Sequence, residues 1–181
     1  MINNCFMIFA QILKGIVILE LFLIAWLSID SNIVINTSSS MPVGIYYRIT
    51  KPINNIQVGD VVLLDNKKML KQPFFKQGLD NGYFTLEENL LKKVVAVHND
   101  ILSINIGGLV VNGKLQSNSE ITIQDSFNNI LFWRIIKSYK IKENELVVLG
   151  TSLKSFDSRY FGPIQKFCVS SIVKPLITFE V

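Results

Sequence analysis

Hydrophobic and polar positions divide this chain unevenly. From Phe6 to Ile29 the sequence FMIFAQILKGIVILELFLIAWLSI is almost wholly apolar, and at 1.5 Å per residue a helix of that length crosses a bilayer core of about 30 Å. Residues 1–30 are therefore expected to form an N-terminal transmembrane helix, and residues 31–181 a single folded domain. Beyond the apolar run, short β-branched and aromatic stretches alternate with turn residues, a pattern that predicts strands. The expected strands are Ile45–Ile49, Val61–Leu64, Lys92–Val97, Ile101–Ile106, Leu109–Val111, Ile121–Gln124, Leu131–Lys137, Leu146–Leu149 and Cys168–Ile177. Gly107-Gly108 between two of them predicts a hairpin. The segment from Lys67 to Leu91 is more polar and contains Leu86-Glu87-Glu88-Asn89-Leu90, where a short helix or ordered insertion is expected. The pattern as a whole predicts a mainly β, antiparallel fold with a small helical insertion.

Two ionisable groups, Lys14 and Glu20, interrupt the apolar run. Near the bilayer centre each costs about 2.5 to 3.5 kcal/mol. Lys14 can snorkel to the cytoplasmic interface, leaving the stretch from Gly15 to Ile29 to cross. Glu20 stays deep, where protonation or a helix of another membrane protein would accommodate it. A cleavable signal peptide is the alternative, but there is no strong basic n-region and no clear small-x-small site before Ser38. The formal charge of +4 is spread along the chain, with no run of lysines interleaved with aromatics, so nucleic acid is not an expected partner. A mild positive charge suits a domain lying against anionic lipid. Cys5 and Cys168 lie at opposite ends and there is one histidine. Neither a disulfide nor a zinc site is expected from such a set, and no cofactor is called for.

Three segments carry candidate chemistry. The first is Asn36-Thr37-Ser38-Ser39-Ser40-Met41-Pro42-Val43-Gly44-Ile45-Tyr46, just past the apolar run. A serine hydroxyl becomes a nucleophile only when a base removes its proton during attack. His98, the single histidine, has no recognisable triad context around it. A lysine can serve instead if desolvation lowers its pKa from about 10.4 toward neutrality. The second segment, Lys92-Lys93-Val94-Val95-Ala96, offers two lysines that strand alternation sends to opposite faces. One of them can be buried, and the alternation alone does not choose which. The third, Ser155-Phe156-Asp157-Ser158-Arg159-Tyr160-Phe161-Gly162-Pro163, brings a hydroxyl, a carboxylate and a guanidinium close together. An Asp–Arg pair is also a common purely structural device.

The order and content of these segments resemble the signal peptidase I superfamily of Ser/Lys peptidases, and especially its conjugal-transfer (TraF-type) branch, in which the serine directly precedes Met-Pro-x-Gly-x-Tyr. The resemblance runs from about Asn36 to Val173. It implies a signal-peptidase-like (LexA-like) β-fold, with Ser40 as nucleophile and Lys92, the first lysine of the pair, as base. By the same match Ser38 assists the oxyanion hole, Ser155 orients the lysine amine, Asp157 helps fix the site and Arg159 pairs with Asp157. Two departures stand out: His98-Asn99-Asp100 replaces the family's Pro-Gly-Asp, and Gly150-Thr151-Ser152 replaces the Gly-Asp-Asn of general signal peptidases. The implied protein is a serine endopeptidase of the bacterial inner membrane, single-pass, with its catalytic domain on the periplasmic side. Its implied substrate is an exported precursor, such as a pilin subunit, with small residues before the cut. The alternatives are a housekeeping signal peptidase I, a self-cleaving LexA-like repressor, and an inactive membrane-tethered assembly factor. Contiguous Ser-Met-Pro argues against the first, the apolar anchor against the second, and the presence of all three segments against the third.

Overall fold

The computed structural model describes residues 7, 11–21 and 32–179. The expected transmembrane helix therefore lies largely outside the described residues. Of that segment residues 11–21 are helical (α1), and among the described residues no helix is long and apolar enough to cross a membrane. Contacts divide the chain into two units, Met1–Ile33 and Val34–Val181, and the three chemical segments all fall in the second.

The second unit is built almost entirely of antiparallel strands. The strands are β1 (Ile33–Asn36), β2 (Val43–Ile49), β3 (Val61–Asp65), β4 (Asn89–Ala96), β5 (Ile101–Asn105), β6 (Gly108–Val111), β7 (Lys114–Leu115), β8 (Ile136–Lys140), β9 (Glu145–Leu149), β10 (Ile164–Gln165) and β11 (Val169–Phe179). Short helices α2 (Asn66–Met69), α3 (Phe75–Asp80) and α4 (Ser158–Phe161) interrupt them. A seven-stranded sheet has the order β1-β2-β11-β3-β4-β9-β10, and a four-stranded sheet the order β7-β6-β5-β8. The alternating pattern of Ile101-Leu102-Ser103-Ile104 pairs with Gly108–Val111 in a tight hairpin, Asn105 opposite Gly108.

One apolar core joins the two sheets, drawing Val62, Leu64 and Val94 from the first and Leu102, Ile104 and Leu109 from the second. On the opposite face of the large sheet, Met41, Tyr46, Leu63, Leu91 and Val173 form a smaller cluster. Strand β4 lies between β3 and β9, with Lys92 opposite Val62 and Lys93 opposite Leu149. All of β9 is buried, as a central strand with both faces covered requires. Gly44 is needed where β2 meets the irregular register of β11 around Pro175, because a side chain there would lie 2.1 Å from the Ile177 carbonyl oxygen.

One expectation from the pattern is met and another is corrected. The short helix or ordered insertion expected between Lys67 and Leu91 is α2 with α3, while Leu86-Glu87-Glu88 turns: Glu88 accepts a hydrogen bond from the Thr85 amide at 2.6 Å, and Asn89 pairs with Asp65 to begin β4. Asp65 caps α2 by accepting from the Lys67 and Lys68 amides, the usual role of an aspartate at a helix start. The expected strands Ile121–Gln124 and Leu131–Lys137 reduce to a single bridge, Gln124 with Ile130, and β8 begins only at Ile136. The physical reason lies in α3. The Gln77 side chain donates to the Phe132 carbonyl at 2.6 Å and accepts from its amide at 2.9 Å, taking both backbone groups that a strand neighbour would use.

Candidate active site

Lys92 is placed by the strand it belongs to. Central in the large sheet, it is 1% exposed, while Lys93 on the other face is exposed. Its amine lies 2.9 Å from the Ser40 hydroxyl. Burial pushes the Lys92 pKa down to about 8, because a desolvated ammonium is disfavoured. The Asp157 carboxylate partly offsets this, and the Arg159 guanidinium adds to the lowering.

Ser40 reaches the lysine from the loop between β1 and β2. Met41 anchors that loop by burying its side chain in the smaller apolar cluster, a contribution of about 1.5 to 3 kcal/mol. Asn36, buried at the end of β1, gathers the loop from inside. Its side-chain nitrogen lies 2.9, 3.1 and 3.0 Å from the carbonyl oxygens of Ser38, Met41 and Pro42, and its oxygen accepts from the Ser38 amide at 3.2 Å. The Tyr46 hydroxyl donates to the Pro42 carbonyl at 2.7 Å. The Ser38 hydroxyl donates to the Ser40 hydroxyl oxygen at 3.1 Å and accepts from the Ser40 amide at 3.2 Å. The Ser38 hydroxyl and the Ser40 amide are thus donors beside the Ser40 hydroxyl, the types of group that can stabilise an oxyanion.

The third segment braces this arrangement. Arg159 and Asp157, both fully buried, make a two-pronged pair at 2.9 and 3.1 Å. The three remaining guanidinium protons go to the carbonyls of Leu153 at 2.9 Å, Ser152 at 3.2 Å and Glu120 at 3.4 Å. Asp157 also accepts from the Gly150 amide at 2.8 Å, and the Thr151 amide donates to the Ser40 carbonyl at 2.8 Å. The segment therefore holds the end of β9 against the serine loop. Ser155 departs from its expected bond to the lysine amine. Its hydroxyl is buried and has no hydrogen-bond partner, and the Lys92 amine bonds to Ser40 instead.

Gly150 is a site residue to which the sequence segments gave no role. A Cβ there would lie 2.2 Å from the Ser155 hydroxyl oxygen and 2.5 Å from the Ser40 carbonyl oxygen, so a side chain must displace one of them. Gly150→Ala is expected to slow acylation of Ser40 by a serine-directed probe about 100-fold, measured by intact mass against time. Asn36, the first residue of the serine segment, was likewise given no role, although asparagine two residues before a serine is a residue type that bonds to its own turn. Among the described residues no cluster of His, Cys, Asp and Glu could hold a metal ion.

The family described as "Signal peptidase, peptidase S26" matches residues 2–174. A plasmid transfer protein TraF of Escherichia coli is 28% identical over 152 residues, covering 80% of this chain and 82% of its own. A conjugal transfer protein TraF of Agrobacterium fabrum is 26% identical over 155 residues, with 81% and 82% covered. Among solved structures, a signal peptidase I from Enterococcus faecalis V583 is 20% identical with a TM-score of 0.39, covering 70% of this chain and 99% of the other.

Proposed function

We propose, from the premise that this chain belongs to the signal peptidase family, peptidase S26, that it is a membrane-bound serine endopeptidase cleaving exported precursors with a Ser40/Lys92 dyad. The observation that carries this reading is the 2.9 Å contact between the buried Lys92 amine and the Ser40 hydroxyl. The neutral amine takes the Ser40 proton as the hydroxyl oxygen bonds to the scissile carbonyl carbon. The negative charge that forms on the substrate oxygen is met by the Ser40 amide and the Ser38 hydroxyl, each worth about 3 to 4 kcal/mol in favourable cases. As the carbon–nitrogen bond breaks, the Lys92 ammonium returns its proton to the leaving amine and an acyl-enzyme remains. Lys92 then deprotonates a water, or an incoming amine, as it bonds to the acyl carbon; the ester bond to Ser40 breaks, the Lys92 ammonium returns its proton to the serine oxygen, and the acyl group leaves as a carboxylic acid or a new amide. Asp157 and Arg159 support the site and transfer no proton.

The substrates follow from the plasmid- and conjugal-transfer proteins this chain resembles: a pilin precursor or another protein of a conjugative apparatus. The domain would act on the periplasmic side of the inner membrane, tethered by the apolar segment from Phe6 to Ile29. Co-expression with a pilin precursor and with a generic signal-peptide reporter, read by intact mass, tests the reading. Cleavage of the pilin alone, lost in Ser40→Ala, is the expected result. Cleavage of both would favour a general signal peptidase, and processing that survives Ser40→Ala would refute the dyad.

The pH dependence has a definite sign. Activity needs the neutral amine, and a lysine of pKa about 8 is about one-tenth neutral at pH 7. The value of kcat/KM is therefore expected to rise about tenfold per unit at low pH and to level off above about 8. A limb that continued to rise toward pH 10.5 would mean that burial does not tune Lys92.

A further inference from the structure

The cleft that opens beside Ser40 and Lys92 has a volume of 620 Å³, enough for several side chains of an extended peptide. Its floor is aromatic. Phe156 stacks on Tyr160 with ring centroids 5.2 Å apart, and Tyr83 and Phe84 pack against Phe156 at 5.7 and 6.0 Å. One wall comes from elsewhere in the chain, the arm between β7 and β8, through Gln124, Asp125, Ser126, Phe127 and Leu131.

Ile121 and Leu131 root that arm in the core, and the Leu131 amide donates to the Ile123 carbonyl at 2.8 Å, whereas residues 122–130 between them are exposed or half-buried. The arm folds back through the Gln124–Ile130 bridge and a turn in which Asn128 adopts a left-handed φ of 66°. Asp125 organises the turn. One carboxylate oxygen accepts from the Phe127 and Asn129 amides, both at 2.8 Å, and the other from the Asn129 side chain at 2.8 Å and from the Tyr83 hydroxyl. With four donors already on it, Asp125 has no free lone pair for a substrate cation. Burial alone would raise its carboxyl pKa, but the bonds from Tyr83, Asn129 and Phe127 outweigh that and hold it down to about 2. The Tyr83 phenol is pushed up to about 12, by burial first and then by this carboxylate. At neutral pH the phenol is therefore protonated and the carboxylate charged, as a bond from one to the other requires. Together with the Gln77–Phe132 pairing, that bond fastens the arm to the α3 side of the cleft.

We propose that the Tyr83–Asp125 bond is a specificity-determining latch, fixing the arm as the wall of a subsite that selects a bulky apolar side chain of the substrate away from the scissile bond. The role is one of positioning, since neither residue touches the reacting atoms. A fixed wall over an aromatic floor discriminates by side-chain volume, whereas an arm free to swing would accept small and large residues alike. The proposal rests on the peptidase reading, and its test separates the two.

The test uses peptides spanning the cleaved segment of a processed precursor, substituted one position at a time with alanine or phenylalanine. They are assayed with the full-length wild-type protein and with Ser40→Ala, Tyr83→Phe and Asp125→Asn. Wild type is expected to prefer phenylalanine by about tenfold or more in kcat/KM at one position or more away from the cut, within the range one pocket can supply. Both latch variants are expected to reduce that preference below about threefold, with the loss falling on KM. Tyr83→Phe keeps the ring packed on Phe156, so it carries the test if Asp125→Asn fails to fold. Ser40-dependent cleavage with no such preference, or a preference retained in a folded Tyr83→Phe variant, overturns the latch alone. Absence of Ser40-dependent cleavage by wild type overturns the latch together with the peptidase reading.

Discussion

Lys92→Met is expected to abolish turnover while making the protein more stable. Loss of the base removes a factor of about 10³ or more from kcat, because no other titratable group is hydrogen-bonded to the Ser40 hydroxyl among the described residues. The stability gain follows from linkage. A lysine whose pKa falls from 10.5 to about 8 on folding is held less well as a cation by the native state than by the unfolded chain. Between those values the unfolded chain binds more protons, so stability rises with pH across that window, and the burial penalty is fully present below about pH 8. That penalty is about 3 kcal/mol, and methionine fills similar space without it. Subtracting about 1 kcal/mol for the hydrogen bond to Ser40 leaves a net gain of about 2 kcal/mol at pH 7, or about 4 to 8 °C in Tm. Calorimetry at pH 7 and pH 10.5 checks this: the gain should vanish at the higher pH. A lower Tm at pH 7 would mean that the buried amine contributes stability.

Asp157→Asn is expected to act in the opposite direction on stability and to move the pH profile. The Asp157–Arg159 pair is fully buried, and breaking such a pair by removing one charge costs about 3 to 5 kcal/mol, since the other charge is left without its partner in the core. The amide keeps the shape of the side chain, so the loss can be read as the loss of charge. Asp157 also holds the Lys92 pKa above where burial alone would leave it. In Asp157→Asn the lysine should deprotonate more easily, and the rising limb of kcat/KM should shift below pH 8 although the plateau falls. Urea denaturation reads the first effect and a pH–rate profile the second. An unchanged limb would show that Asp157 is too well neutralised by Arg159 to be felt at the amine.

Much of the site was legible in the sequence because its segments are local. The strand alternation at Lys92-Lys93 sent the two lysines to opposite faces, so that one could be buried, and the run from Ser155 to Pro163 is short enough that its residues are neighbours by necessity. What escaped was decided by contacts between distant parts of the chain. Ile121–Gln124 and Leu131–Lys137 have strand-like composition, yet Gln77 occupies the backbone of Phe132, and no periodicity can report a partner 55 residues away. Asn36 and Gly150 shape the Ser40 loop through backbone groups and through space that a side chain would fill, features without an alphabet of their own. Ser155 shows the reverse case: its place in the segment implied a bond to the lysine, but the amine has turned to Ser40 and left the hydroxyl unpaired.

The Thr151 amide that binds the Ser40 carbonyl stands at the far end of β9, more than a hundred residues along the chain from the serine it steadies. Nucleophile, base and brace belong to three stretches that meet only when β9 has docked on β4. Such non-local pairings form late, because their loop-closure entropy must be met first. In a nascent chain the Lys92–Ser40 contact and its brace are therefore not yet assembled. The contact between Ser40 and Lys92 and the completion of the fold thus arrive together.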